Sequence, residues 1–190
     1  MEHRIKMIGL DLDGTVLTEQ KELTARTKDA ISRALSQGVV VLVATGRPWM
    51  GVPEELRNFQ GMHYALTSNG ARIIDTVKDR VIEEHLLSPL LAQKVLEICG
   101  KYDTLQEVYF DGQGYAPAGK MALVERYHRN PSMCEYMRKT RIPVEDISQL
   151  VRKENRGLDK VQALFADMDE RKLAWNELEA EGGMELVGSL

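Results

Sequence analysis

The sequence is poor in the features that would assign it to several large classes of protein. Its 190 residues include two cysteines and four histidines. Cys99 and Cys134 do not form a metal-ligand spacing, and no two of His3, His63, His85 and His128 do so either. A cysteine- or histidine-built metal centre is therefore not predicted, and each histidine reads as a surface or strand-edge residue. Two cysteines without a disulfide pattern fit a reducing, cytoplasmic location. No plain apolar run exceeds residues 39–44, whereas a membrane-spanning helix needs roughly 20 residues. The opening M-E-H-R-I-K has no apolar signal region. No run of Lys and Arg stands out, and the net charge is −4, so no nucleic-acid footprint is expected. What is present, 43% hydrophobic and 28% charged residues, suffices to bury a core in one large domain or two small ones.

The informative stretch is residues 8–17, I-G-L-D-L-D-G-T-V-L. Asp11 and Asp13 follow an apolar run (Ile5, Met7, Ile8, Leu10) that reads as a central strand. At strand period, residues i and i+2 project to the same side. The two carboxylates therefore meet at the carboxyl end of that strand, where open α/β sheets bind ligands. Two close carboxylates repel, and a divalent cation removes that cost. Mg²⁺ suits hard oxygens and takes one or two carboxylates plus phosphate oxygens. D-G-T on its own is a common turn; the preceding hydrophobic strand gives it more weight.

Residues 16–23 form a short excursion that reads as a flap beside the site. Thr24 caps a helix running to about Gln37, with Ala30, Ile31, Ala34 and Leu35 on one face, and Gly38 closes it. The β-branched run at residues 39–43 predicts a strand buried on both faces. It ends in A44-T45-G46-R47-P48. A threonine hydroxyl there can donate to a phosphate oxygen, Gly46 lets the backbone approach, and Pro48 suits the first turn of a helix to about Phe59. Such a helix N-terminus favours an anion. A third strand at residues 64–67 runs into S68-N69-G70-A71, a strong turn signal. A hairpin over residues 72–84 follows.

The D11-L-D13-G-T-V motif resembles the first motif of the haloacid dehalogenase-like phosphohydrolases. T45-G46-R47 and N69-G70-A71 narrow the resemblance to the Cof-type sugar-phosphate phosphatases. The resemblance implies an α/β fold: a Rossmann-like parallel-sheet core with an inserted α+β cap. It implies Asp11 as nucleophile and Asp13 as general acid/base, both helping to hold Mg²⁺, Asp13 through its backbone carbonyl. Thr45 becomes the phosphate-binding hydroxyl, with Gly46 beside it. Arg47 takes either the substrate phosphate or a local ion pair, and Asn69 touches substrate or orders the site. Residues 1–84 would be the first part of the core and 85–190 the cap, which in this family selects the substrate.

Beyond residue 86 the pattern is helix, hairpin, then strand-helix-strand. Ser88 and Pro89 start a helix to about Tyr102, with Leu91, Val95 and Ile98 on one stripe. Residues 105–110 and 114–117 flank D-G-Q-G. Two short helical pieces follow, in which Met121, Met133 and Met137 read as core filler. Residues 143–150 read as a connector, 160–166 as a strand, and 171–181 as a helix capped by Asp169 with Leu173, Ala174 and Leu178 inward. G182-G183 ends it and residues 184–187 begin another strand. This predicts an antiparallel sheet with helices on one face. The hairpin at residues 111–115 and the segment near Lys120 are the candidate cap contacts.

Complete members of the family carry a later lysine and a G-D-type acidic motif, and neither occurs before G188-S189-L190. Lys153, Lys160 and Lys172 all fall in the cap. The chain is expected to be truncated, with impaired catalysis and an uncovered core edge open to self-association. The implied function is Mg²⁺-dependent hydrolysis of a small phosphorylated metabolite through an aspartyl-phosphate, with no nucleic-acid or membrane partner. A phosphotransferase or phosphomutase of the same superfamily, and a non-catalytic binding module, stand as alternatives.

Overall fold

The computed structural model describes residues 4–188; His3 and the last two residues lie outside the described residues. The chain divides into two compact units, Met1–His85 and Leu86–Leu190.

The first unit is built on a five-stranded sheet in the order β1-β2-β3-β4-β5. Strand β1 (Met7–Leu10) pairs parallel with β2 (Val40–Ala44), and β2 pairs parallel with β3 (Tyr64–Thr67). Strands β4 (Arg72–Asp75) and β5 (Arg80–Glu84) continue antiparallel as the expected hairpin. Helix α1 (Ala25–Ser36) links β1 to β2. Thr24 caps it by accepting from the Thr27 N–H at 3.2 Å, and Gly38 (φ +76°) lets the chain turn back into β2. Its buried Ile31 packs with Val41, Val43, Ala65 and the fully buried Leu12.

Three expectations for this unit are corrected. Strand β1 is an edge strand among the described residues, with Met7 61% exposed. Strand β2 buries Val41 and Val43 but leaves Val40, Leu42 and Ala44 only half-buried, so one face is covered rather than two. The helix expected over residues 48–59 is broken into a 3₁₀ turn (Trp49–Gly51) and α2 (Glu54–Arg57). Pro53 explains the break: it has no N–H to donate, and it pushes Val52 out of the helical region; Val52 is extended at φ −73°, ψ 133°. The anion-favouring helix N-terminus expected at Pro48 is therefore absent.

The second unit opens with α3 (Pro89–Cys99), capped by Ser88 and three residues shorter than expected. Strands β6 (Thr104–Phe110) and β7 (Gln113–Pro117) form a hairpin whose turn places Asp111 and Gly112 at positive φ, the conformation that favours Asp-Gly. Short helices α4 (Ala118–Met121) and α5 (Val124–Tyr127) precede α6 (Pro131–Thr140), then β8 (Arg141–Val144), α7 (Ile147–Glu154), β9 (Lys160–Phe165) and α8 (Met168–Glu181).

The sheet order is β8-β7-β6-β9. The stretch expected as a connector with some helical character supplies the end of β8 and the first half of α7, and β8 runs parallel to β7, so the sheet is mixed. Pro143 is tolerated because β8 is an edge. Helices cover both faces rather than one. Val108 and Phe110 pack on α3 and α7, while Leu105 and Ala116 pack under Met121, Val124, Tyr127, Cys134 and Met137. Asp167, not Asp169, caps α8, accepting from the N–H groups of Asp169 and Glu170. Ala174 and Leu178 are buried against α3, but Leu173 is 56% exposed, one residue round the helix from that stripe. Residues 184–187 are not a strand, although Met184 and Leu186 still pack on the α3–α8 cluster.

The face carrying Leu105 also holds a buried polar network. Glu107 is 0% exposed and accepts from Arg141 Nε at 3.0 Å and from the Tyr109 hydroxyl. Arg141 sits over the rings of Tyr109 and Tyr136 at 5.1 and 5.0 Å. Lys160 lies 4.6 Å over the Tyr109 ring and donates to Gln162 at 3.0 Å. Burial lowers the Lys160 ammonium to about 8 from 10.5. Between those values the unfolded chain holds the proton and the folded chain releases it, so this group adds stability as pH rises from about 8 toward 10.5. Urea unfolding is expected to show that increment in the unchanged protein and to lack it in Lys160→Met.

Candidate functional site

The site lies at the carboxyl ends of β1, β2 and β3. In the register of the parallel strands, Leu10 faces Val43 and Ala44 faces Leu66. The residues following each strand therefore emerge at one end of the sheet. From β1 come Asp11 and Asp13. Leu12 between them is fully buried, while Asp11 is exposed and Asp13 half-buried. The Thr15 hydroxyl donates to Asp11 Oδ2 at 3.1 Å.

Asp13 is the hub of an ion cluster. Arg47, 6% exposed, grips it through Nε to Oδ2 and a terminal nitrogen to Oδ1, both at 2.7 Å. Two parallel bonds of this kind are the strong form of a guanidinium–carboxylate contact. A further Arg47 nitrogen donates to the Gly51 carbonyl at 2.9 Å, so the 3₁₀ turn fixes the guanidinium. Lys21 Nζ reaches Asp13 Oδ1 at 2.8 Å. Burial alone would raise the Asp13 carboxyl, but the hydrogen bonds and charges of Arg47 and Lys21 hold it at about 2. Of the two roles open to Arg47 from sequence, the arrangement here is the local ion pair.

The β2 and β3 loops are tied together. The Thr45 hydroxyl is buried and accepts from the Arg47 N–H at 3.1 Å; its own proton remains a donor. The Ser68 N–H donates to the Arg47 carbonyl at 2.9 Å and the Asn69 N–H to the Thr45 carbonyl at 3.2 Å. Ser68, Asn69 and Gly70 all take positive φ (52°, 59° and 96°). A Cβ on Gly46 would stand 2.5 Å from Asn69 Oδ1. Gly46 thus leaves room for the Asn69 side chain to lie over the β2 loop. Gly46→Ala is expected to displace the exposed Asn69 side chain at a cost below about 1 kcal/mol, read by urea unfolding. The hydroxyls of Thr67 and Ser68 are buried without a hydrogen-bond partner at the same end of β3.

The predicted residues Asp13, Thr45, Gly46, Arg47 and Asn69 are therefore linked in one network, with Asp11 on the exposed side of the same loop. Lys21 and the Gly51 carbonyl join them without belonging to any motif. The signal for Lys21 was its charge, placed in the flap after an acidic pair. The candidate contacts in the second unit are otherwise engaged: Lys120 bonds Asp103 and the Tyr127 hydroxyl at 3.0 and 2.7 Å, and Asp111 pairs with Arg156. A groove of about 490 Å³ lined by Ile5, Ile8, Ala30, Ala34 and Val39 includes none of the site residues.

Among the described residues no group of three or more His, Cys, Asp or Glu could form a metal cage. Mg²⁺ does not require one, because it keeps waters and substrate oxygens and takes one or two carboxylates. Asp11 is exposed and suits that role, whereas the Asp13 carboxylate is engaged by two cations. The residues present fit a sparsely held Mg²⁺.

Comparison with known proteins places the chain in a family. Residues 8–185 match the family described as haloacid dehalogenase-like hydrolase. The chain is 35% identical over 82 residues to "Putative phosphatase YxeH" of Bacillus subtilis, covering 42% of this chain and 30% of that protein. It is 30% identical over 100 residues to the 5-amino-6-(5-phospho-D-ribitylamino)uracil phosphatase YcsE of Bacillus subtilis, covering 53% and 40%. The matched stretches thus span well under half of these relatives. Among solved structures, a haloacid dehalogenase-like hydrolase from B. subtilis superposes with a TM-score of 0.76 at 20% identity, covering 92% of this chain and 67% of that one. The HAD subclass IIB sugar phosphatase BT4131 gives 0.72 at 16% identity, covering 92% and 64%. With its strand-end aspartates, its Thr45–Arg47 loop and its α/β fold, the chain belongs to the haloacid dehalogenase-like hydrolases.

Proposed function

We propose that the first unit carries the catalytic carboxylates of a Mg²⁺-dependent phosphatase acting on small phosphorylated metabolites, sugar phosphates among them, and that the second unit is the cap of the family. The observation that carries the proposal is the strand-end network in which Asp13 is held by Arg47 while Asp11 remains exposed. The names of the relatives, a phosphoribitylamino-uracil phosphatase and a sugar phosphatase, support the substrate class.

In the proposed reaction an Asp11 oxygen forms a bond to phosphorus as the bond to the leaving oxygen breaks, giving an aspartyl-phosphate. Asp13, ionised before substrate binds, takes up a proton from solvent in the substrate complex and passes it to the leaving oxygen, then takes one from the water that cleaves the acyl-phosphate. The ionised Asp13 that Arg47 and Lys21 maintain is the form needed for this second step. Thr45, with a hydroxyl proton still to donate, binds a phosphoryl oxygen, and Asn69 fixes the loop that holds Thr45. Asp11 and the Asp13 carbonyl would hold Mg²⁺, which would supply positive charge against the phosphoryl oxygens.

The test is phosphate release from an aryl phosphate by the full chain. Slow release that requires Mg²⁺ and stops with a chelator is expected, in keeping with the impaired catalysis expected from the sequence. A folded chain that releases none, or releases as much in chelator, would sink the proposal. Self-association through the open edge of β1, where Ile5 and Met7 are 65% and 61% exposed, belongs to the same proposal. Sedimentation is expected to show dimers, and a monomer at all concentrations would remove this part. A cytoplasmic location is supported by the two buried free cysteines. No helix among the described residues is long and apolar enough to cross a membrane.

A further inference from the structure

Lys21 stands where a loop of this shape would more simply carry glycine. The flap is closed by a bridge between Leu17 and Leu23, both buried. Inside it the Thr18 N–H donates to the Glu22 carbonyl at 3.0 Å and the Lys21 N–H to the Thr18 carbonyl at 2.9 Å. This tight turn puts Lys21 at φ +64°, a left-handed conformation that is unfavourable for a residue with a side chain. The result is an ammonium group, on a side chain only 20% exposed, placed 2.8 Å from Asp13.

The charges around it are balanced. Asp11 and Asp13 contribute two negative charges, Lys21 and Arg47 two positive ones, and the four side chains sum to zero. A divalent cation then brings two uncancelled positive charges, which match the two negative charges of a phosphate monoester. Without Lys21 one of the metal's charges would be absorbed by the protein's own carboxylates.

We propose that Lys21 is a charge-setting residue of this site: held on Asp13 by the flap, it cancels one carboxylate so that the full charge of bound Mg²⁺ is available to the substrate phosphate. It is a positioning residue, acting through Asp13 and through the field at the site. The proposal rests on the metal-and-phosphate reading above. Its consequence is a pair of opposite effects. The ammonium repels Mg²⁺ and attracts phosphate, so its removal strengthens one and weakens the other. A purely structural lysine would move both in the same direction or neither.

Titration calorimetry on the full chain distinguishes these cases, with Mg²⁺ alone and then inorganic phosphate at saturating Mg²⁺. Lys21→Met is expected to bind Mg²⁺ about three- to tenfold more tightly and phosphate about three- to tenfold more weakly, both changes shrinking at high salt. Lys21→Arg keeps the charge and is expected to stay within about twofold of the unchanged chain on both ions. Lys21→Gly, which suits the left-handed backbone, is the second charge-removing variant should Lys21→Met fail to fold, and it is expected to give the same opposite shifts. If the unchanged chain binds both ions and both charge-removing variants move them together or not at all, the inference is overturned and the metal reading stands. If the unchanged chain binds neither ion, the metal reading falls and takes the inference with it.

Discussion

Asp11→Asn is expected to lower Mg²⁺-dependent turnover by about 10³-fold or more while changing the unfolding free energy by less than about 0.5 kcal/mol. The asymmetry follows from where Asp11 sits. It is exposed, and the bond it accepts from the Thr15 hydroxyl can be accepted equally by an asparagine oxygen. The fold therefore does not need its charge. The reaction does, because a neutral amide neither attacks phosphorus nor holds Mg²⁺ as a carboxylate does. Asp13→Asn has a different profile. It leaves Arg47, 6% exposed, and Lys21 without their anionic partner. Such a loss at a partly buried pair is expected to cost about 1–3 kcal/mol as well as activity. Phosphate release and urea unfolding measured on both variants separate the two roles. An Asp11→Asn chain within about tenfold of full turnover would contradict the assignment.

The second large effect concerns stability alone. Glu107→Leu and Arg141→Met are each expected to lower the unfolding free energy of the second unit by about 3–5 kcal/mol. The two side chains are 0% and 4% exposed and 3.0 Å apart. Truncating Glu107 removes the anion that Arg141 and Lys160 share, and truncating Arg141 removes the cation hydrogen-bonded to Glu107. The double variant is expected to recover part of the loss, because it replaces the paired charges by two apolar groups of similar size and leaves Lys160 as the remaining charge of the network. Recovery should be incomplete, since Tyr109 loses its acceptor on Glu107. Trp175 lies on α8 in the second unit and Trp49 in the first. In a Trp49→Phe background, Trp175 fluorescence would follow this transition. Single variants that cost less than about 1 kcal/mol would show that the pair contributes little to the fold.

Much of the first unit was legible because its signals are local. Thr24 and Gly38 bracket α1, the β-branched run of Val40, Val41 and Val43 marks β2, and T-V-K-D marks the β4–β5 turn. The failures have physical causes. Pro53 stopped a helix that Pro48 was expected to start. Strand β8 is four residues long and contains Pro143, so neither length nor composition announced it; its place is set by the β7 edge it pairs with. Asp167 and Asp169 are equally good caps by residue type, and only the backbone decides between them. The motif residues of the site were readable, but their partners were not. Arg47 meets Asp13 across 34 positions, a contact created by the pairing of β1 with β2. Lys21 carries no motif signal because its role depends on the left-handed turn that aims it.

The central claim is that Asp11 accepts a phosphoryl group. The most direct measurement is borohydride trapping during turnover of an aryl phosphate with Mg²⁺, followed by peptide mass mapping. Reduction of an aspartyl-phosphate converts that aspartate to homoserine. The account predicts homoserine at position 11, none without Mg²⁺ and none in Asp11→Asn. Homoserine at position 13 instead, or turnover with no trapped residue, would contradict it.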